Sequence, residues 1–150
     1  MPLTFDPRFL HFPGTGLTLD PHRPVPFAFV SHGHADHFAR HQRVLCSRGT
    51  GHLLVKRYRV KASTVETLDW NEELILNDHR ITLHPAGHIT GSAMIRIEHD
   101  GQSLLYTGDF KTRPSRTAET ADFPRADVFI LETTFGLPRF VFPPAPEIER

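Results

Sequence analysis

Four side chains able to hold a metal ion fall within six residues, in the run Ser31-His32-Gly33-His34-Ala35-Asp36-His37. Only the two smallest residue types separate them, which keeps a crowded backbone free of bulk. In extended chain, residues two apart project to the same side, so His32 and His34 can grip one ion. A short helix opening at Asp36, over Asp36–His41, turns Asp36 and His37 another way, toward a second ion close by. Imidazole together with carboxylate favours zinc or a similar divalent ion over calcium or magnesium. His11, His22, His41, His52, His79, His84 and His99 stand singly and read as ordinary core or surface positions. Helical spacing carries His41, four residues past His37, away from the cluster.

These residues need a scaffold, and the pattern around them is mostly extended. Residues 1–26 read as loops with short extended pieces, including Gly16–Asp20, and Pro26–Ser31 reads as a buried strand. Val44–Ser47 is a further strand, and Cys46 in it a small buried residue. Thr50–Tyr58 reads as a helix capped by Thr50. Thr64–Leu68, Glu73–Leu76, His79–His84 and Ala93–His99 read as extended, and Asp100-Gly101 as a hairpin turn into Ser103–Thr107. Lys111–Arg125 is an irregular polar connection, Asp127–Leu131 a last buried strand, and Phe142–Pro146 a Pro-rich stretch. The chemically able residues sit where strands end, which is where a sheet scaffold presents a site.

The 150 residues are enough for one domain, with 39% hydrophobic and 23% charged residues. No apolar run approaches the ~20 residues of a spanning helix, and no secretory h-region opens the chain. One cysteine excludes an internal disulfide and fits a reducing cytoplasm. Formal net charge is zero, yet Arg40 to Lys61 holds seven Lys or Arg and no acid. That stretch is either a patch for an anionic substrate or a solvated helix face.

The motif HGHADH resembles the HxHxDH signature of the metallo-β-lactamase superfamily. Asp20, ending GLTLD, is similar to the family's first-motif aspartate; His88 in PAGHITGS and Asp109 in YTGDF match its later metal-binding motifs. PAGHITGSAMIRIE, YTGDFK and Glu132 in ILETTFGLPRF are similar to the beta-CASP nucleases, and ETTFGLP with YTGDFK looks most like bacterial DNA ligase-associated exonucleases. The resemblance implies an α+β fold, a four-layer αββα sandwich of which the chain carries the N-terminal portion. The beta-CASP cap and C-terminal half would lie beyond it. It implies His32, His34 and His88 on one Zn2+, Asp36 and His37 on another, and Asp109 bridging, with Mn2+ an alternative metal. Candidate catalytic residues are Asp36, Asp20 and Glu132. Asp20 would hydrogen-bond a ligand histidine, or else simply form an Asp-Pro turn. Glu132 would help protonate the leaving group, or else be a strand-end surface carboxylate.

The implied activity is two-metal phosphodiester hydrolysis by an exonuclease acting on nucleic acid, DNA foremost, in cytoplasmic DNA repair. By family association a DNA ligase or helicase is an expected partner, and no membrane is. Rival expectations are a thioester or lactone hydrolase of the same fold, and a catalytically incomplete zinc-binding fragment. No histidine follows His99, so the second ion is expected to draw ligands from elsewhere.

Overall fold

The computed structural model describes residues 4–143. Ten strands form two five-stranded sheets. The first has the order β1 (His11–Phe12), β2 (Leu17–Leu19), β3 (Phe27–Phe29), β4 (Arg43–Ser47), β5 (Val65–Leu68), parallel except for β1. In the second, β6 (Leu74–Leu76), β7 (His79–Pro85), β8 (Ala93–His99) and β9 (Gln102–Tyr106) form an antiparallel meander. There β10 (Val128–Ile130) runs parallel to β9 at the edge.

Side-chain alternation decides the layers. Phe27, Phe29 and Leu45 point between the sheets and meet Ile81, Leu83, Ile95, Ile97 and Leu104 from the other side, all buried. Their neighbours Ala28, Val44 and Cys46 point outward and pack under Leu54 of α1 (Arg48–Tyr58). Strands buried on both faces explain why β3 and β4 read as continuous apolar runs. The arrangement is an α, β, β stack, part of the αββα sandwich; among the described residues no helix covers the outer face of the second sheet.

Three local expectations need correction. Ser47, not Thr50, caps α1: its side chain accepts the Thr50 N–H at 3.1 Å, and the helix begins at Arg48. Asp36–His41 is not an α-helix. Ala35–His37 makes one 3-10 turn, and Phe38 leaves it extended, its ring packed near Tyr58 and His41. The strand at Asp127–Leu131 forms, but it is not buried: Val128 and Phe129 are 43% and 45% exposed, because β10 is an edge strand. The Pro-rich stretch at Phe142–Pro146 falls mostly outside the described residues.

The N-terminus of α1 meets the loop after β7 at Gly91, whose φ is +77°. A Cβ there would stand 2.6 Å from the Thr50 nitrogen and 2.7 Å from Gly49 backbone. Both obstacles are backbone, so neither can swing aside. Gly91→Ala should cost at least about 2 kcal/mol, from the left-handed backbone and the clash together. A denaturant midpoint shift amounting to under ~0.5 kcal/mol would refute that close approach.

Candidate metal centre

The C-terminal ends of β2 and β3 in the first sheet and of β7, β9 and β10 in the second converge on one edge. Asp20, the 31–37 loop, His88, Asp109 and Glu132 leave these ends in turn. The two sheets are tied there by the Ala93 N–H donating to the Ser31 carbonyl at 2.8 Å. Gly108 (φ +53°) lies against Ser31, where a Cβ would come within 2.6 Å of its side chain. The turn before Asp109 can therefore press on the 31–37 loop only without a side chain.

One ligand atom each from His32, His34, His88 and Asp109 lies within 4.8 Å of all the others. His32 Nε2 and His34 Nδ1 are 2.9 Å apart, and His88 Nε2 is 3.2 Å from the same His34 atom. Asp109 Oδ2 stands 3.6 Å from His88 Nε2 and 3.9 Å from His32 Nε2. Nitrogens bound tetrahedrally at about 2.0–2.1 Å from one zinc would sit about 3.3 Å apart, so the donor set suits such an ion. Burial, aided by the neighbouring imidazoles, pushes His32 down to about 3, and burial also lowers His88. Both are thus neutral near pH 7, the form in which imidazole ligates.

The tautomer of His32 follows from its surroundings. Ser31 Oγ donates to Asp20 Oδ2 at 2.6 Å, which leaves the Ser31 oxygen to accept from His32 Nδ1 at 2.9 Å. The Nε2 lone pair then faces the cluster. Asp20 is the hub of the site: it is buried, and it also accepts from the Ser31 N–H (2.7 Å), His37 Nδ1 (3.0 Å) and the Tyr106 hydroxyl (2.9 Å). Its φ of 41° lies in the left-handed region, which Asp tolerates better than most residues.

His37, oriented by Asp20, directs Nε2 toward a second group of donors, 3.5 Å from Asp109 Oδ1 and 3.9 Å from Asp36 Oδ2. The hydrogen bond to Asp20 raises the His37 pKa against the opposing effect of burial. Asp36 is largely exposed, and its pKa is lowered, chiefly by its own backbone N–H. Asp109 thus lies between the two groups. Glu132 sits beside it, accepting the Phe110 N–H at 3.3 Å.

Ser31 and Tyr106 were not singled out in the sequence. Ser31 adjoins the motif and was within reach, whereas Tyr106 lies 86 residues from Asp20 and only the fold brings it there. His22, one of the histidines that stand singly in the sequence, bonds the Asp36 carbonyl through Nδ1 at 2.7 Å. The other lone histidines lie apart from the cluster. His41 is buried near Phe38, His79 stacks on His99 at 4.0 Å, and His84 pairs with Thr82. Cys46 is buried, its thiol pushed up to about 12 by burial, which makes it inert. The basic stretch is partly spent inside the fold. Arg43 bonds Glu66 and covers the Phe27 ring, Arg48 bonds Asp69, and Arg40 donates to the Tyr58 carbonyl. No helix among the described residues is long and apolar enough to cross a membrane.

Residues 4–141 match the family model described as "Beta-lactamase superfamily domain". The chain is 46% identical to a "Probable DNA ligase" of Opitutus terrae, over 97% of the chain and 15% of that protein. It is 30% identical to the human "DNA cross-link repair 1A protein", over 96% of the chain and 15% of that protein. An "RNase J-like protein" of Methanocaldococcus jannaschii is 32% identical, over 85% of the chain and 36% of its own length. The chain therefore spans between about a seventh and a third of these relatives. With the family's histidine and aspartate motifs gathered at one edge of a paired-sheet scaffold, this chain belongs to the metallo-β-lactamase superfamily, among its beta-CASP nuclease relatives.

Proposed function

We propose that this chain carries the catalytic metal centre of a nuclease that hydrolyses phosphodiesters of nucleic acid, DNA foremost. The observation that carries the reading is Asp109 standing between two donor groups, His32/His34/His88 on one side and Asp36/His37 on the other. The relatives named for DNA cross-link repair, for RNase J and for DNA ligase support a nucleic-acid substrate and a setting close to ligation. Zinc fits the nitrogen-rich first group best, and the more carboxylate-rich second group also suits manganese.

Two such ions, when bound, acidify water and offset charge on the attacking and leaving oxygens. The chain's own residues do the rest. Ser31 and Asp20 hold His32 and His37 in the tautomers that face the centre. Glu132, beside Asp109, would take the proton released by the attacking water and return it to the leaving oxygen. Asp36, His37 and Asp109 provide three donors for the second ion, so further ligands come from solvent or from other polypeptide. Turnover by the 150-residue chain alone is accordingly expected to be slow.

Purified chain should hold at least one equivalent of zinc by metal analysis. His34→Ala should lose it, and His79→Ala should keep it. Hydrolysis of bis-p-nitrophenyl phosphate should exceed that of thioesters and disappear with chelator. Folded protein with well under half an equivalent of metal would count against the centre. Preference for the thioester would instead favour a small-molecule hydrolase of the same fold.

A further inference from the structure

The connection after Asp109 is anchored to the loop that carries His88. The Lys111 N–H donates to the Ala86 carbonyl at 2.9 Å, and the Lys111 carbonyl lies where a Cβ on Gly87 would go. The Thr90 hydroxyl bonds the Thr117 carbonyl, and the Gly91 N–H donates to Glu119 Oε2 at 2.9 Å. This stretch is therefore fixed against the metal loop at three points. Between those anchors it places Lys111, Arg113, Ser115 and Arg116 around a hollow of about 430 Å³. Arg113 and Arg116 are exposed, and among the described residues no carboxylate pairs with either or with Lys111. The carboxylate within the same stretch, Glu119, is committed to the Gly91 amide. In the 40–61 stretch Arg43 and Arg48 are neutralised by Glu66 and Asp69, and Lys56, Arg57 and Arg59 sit at the C-terminal end of α1, whereas the His88 loop meets its N-terminal end at Gly49.

Unpaired cations held at the rim of a hydrolytic centre attract anions, and guanidinium groups match phosphate oxygens in pairs. We infer that Lys111, Arg113 and Arg116, with the Ser115 hydroxyl, form a subsite for backbone phosphates of the nucleic-acid strand next to the bond being cut. The inference deepens the nuclease reading and rests on it for the identity of the strand. The stretch starts two residues after Asp109 and is bound to the His88 loop at Ala86, Thr90 and Gly91, so a strand cut at the centre and running along this side would pass these cations.

The test measures binding of a fluorescent single-stranded oligonucleotide to the full chain as a function of salt, alongside hydrolysis of bis-p-nitrophenyl phosphate, which has no neighbouring phosphates. In the triple variant Lys111→Gln/Arg113→Gln/Arg116→Gln, affinity at low salt should fall at least about tenfold. The slope of log affinity against log salt should shrink by about 2, from roughly 0.7 per phosphate contact on a single strand. Metal content and small-diester turnover should stay at the unsubstituted level. The comparison variant Lys56→Gln/Arg57→Gln/Arg59→Gln should keep most of the affinity. An unchanged slope in the first variant, or a loss confined to the second, overturns the subsite. A parallel loss of small-diester turnover also overturns it, since the stretch would then be structural. If the unsubstituted chain binds the oligonucleotide through these residues but hydrolyses thioesters in preference to the small diester, the nuclease reading fails while the anion subsite stands.

Discussion

Asp109→Asn is expected to lower phosphodiester hydrolysis by about 10²–10³-fold or more, while leaving the metal-free protein as stable as before. The carboxylate is 3.5 Å from His37 and 3.6 Å from His88, so it is the group that both donor sets share. Asparagine keeps the volume and one carbonyl oxygen but removes the negative charge. Losing a charge that orders the reacting centre has its largest effect in the transition state, and single deletions of this kind typically cost that much. The side chain is 29% exposed and accepts no backbone hydrogen bond among the described residues, so folding should hardly register the change. Turnover within tenfold of the unsubstituted chain, with metal occupancy intact, would remove Asp109 from the centre.

The second large effect falls on folding and metal together. Asp20→Ala strips the acceptor from Ser31, which is buried, and from the half-buried His37 and Tyr106 at once. Buried donors left without a partner cost about 1–3 kcal/mol each and do not add fully, so about 3–5 kcal/mol is expected in sum. The left-handed backbone at residue 20 adds about 1 kcal/mol for a residue that dislikes it. The thermal midpoint should fall by about 10 °C or more. Metal affinity should weaken by about 10–100-fold, as for other residues that orient ligands. Asp20→Asn keeps the backbone preference and one acceptor, so it should recover much of the stability but less of the affinity. If Asp20→Ala shifts stability by under ~1 kcal/mol, Asp20 is a turn residue and not the hub.

The cluster at residues 32–37 was legible because its ligands are close in sequence, and their spacing already encodes a shared direction. His88 and Asp109 came into view only through resemblance, since nothing local marks a lone histidine or a Gly-Asp pair as a ligand. The Ser31–Asp20–Tyr106 hydrogen bonds were out of reach for the same reason; they join the neighbouring ends of β2 and β3 to β9, which meets them only after the sheets dock. Strand positions followed from apolar runs and turns, so β3, β4, β7, β8 and β9 fell where expected. The cap of α1 was misplaced locally, by three residues, and the other two errors came where tertiary packing overrode local propensity. Phe38 turned toward Tyr58 and ended the turn at His37, and β10 took an edge whose outer face is open.

The donor groups come from both sheets: His32, His34, Asp36 and His37 from the first, His88 and Asp109 from the second. A cation there would act as a rivet across the interlayer seam, and its affinity would measure how well the two sheets are docked. Metal at a hundredfold above its dissociation constant adds about 2.7 kcal/mol to a fold that alone can bind it. Loosening the interlayer core far from the histidines, at Leu83 for instance, would then weaken metal retention without touching a ligand. Chelation, conversely, would free the two sheets to breathe apart along the edge that carries the donors.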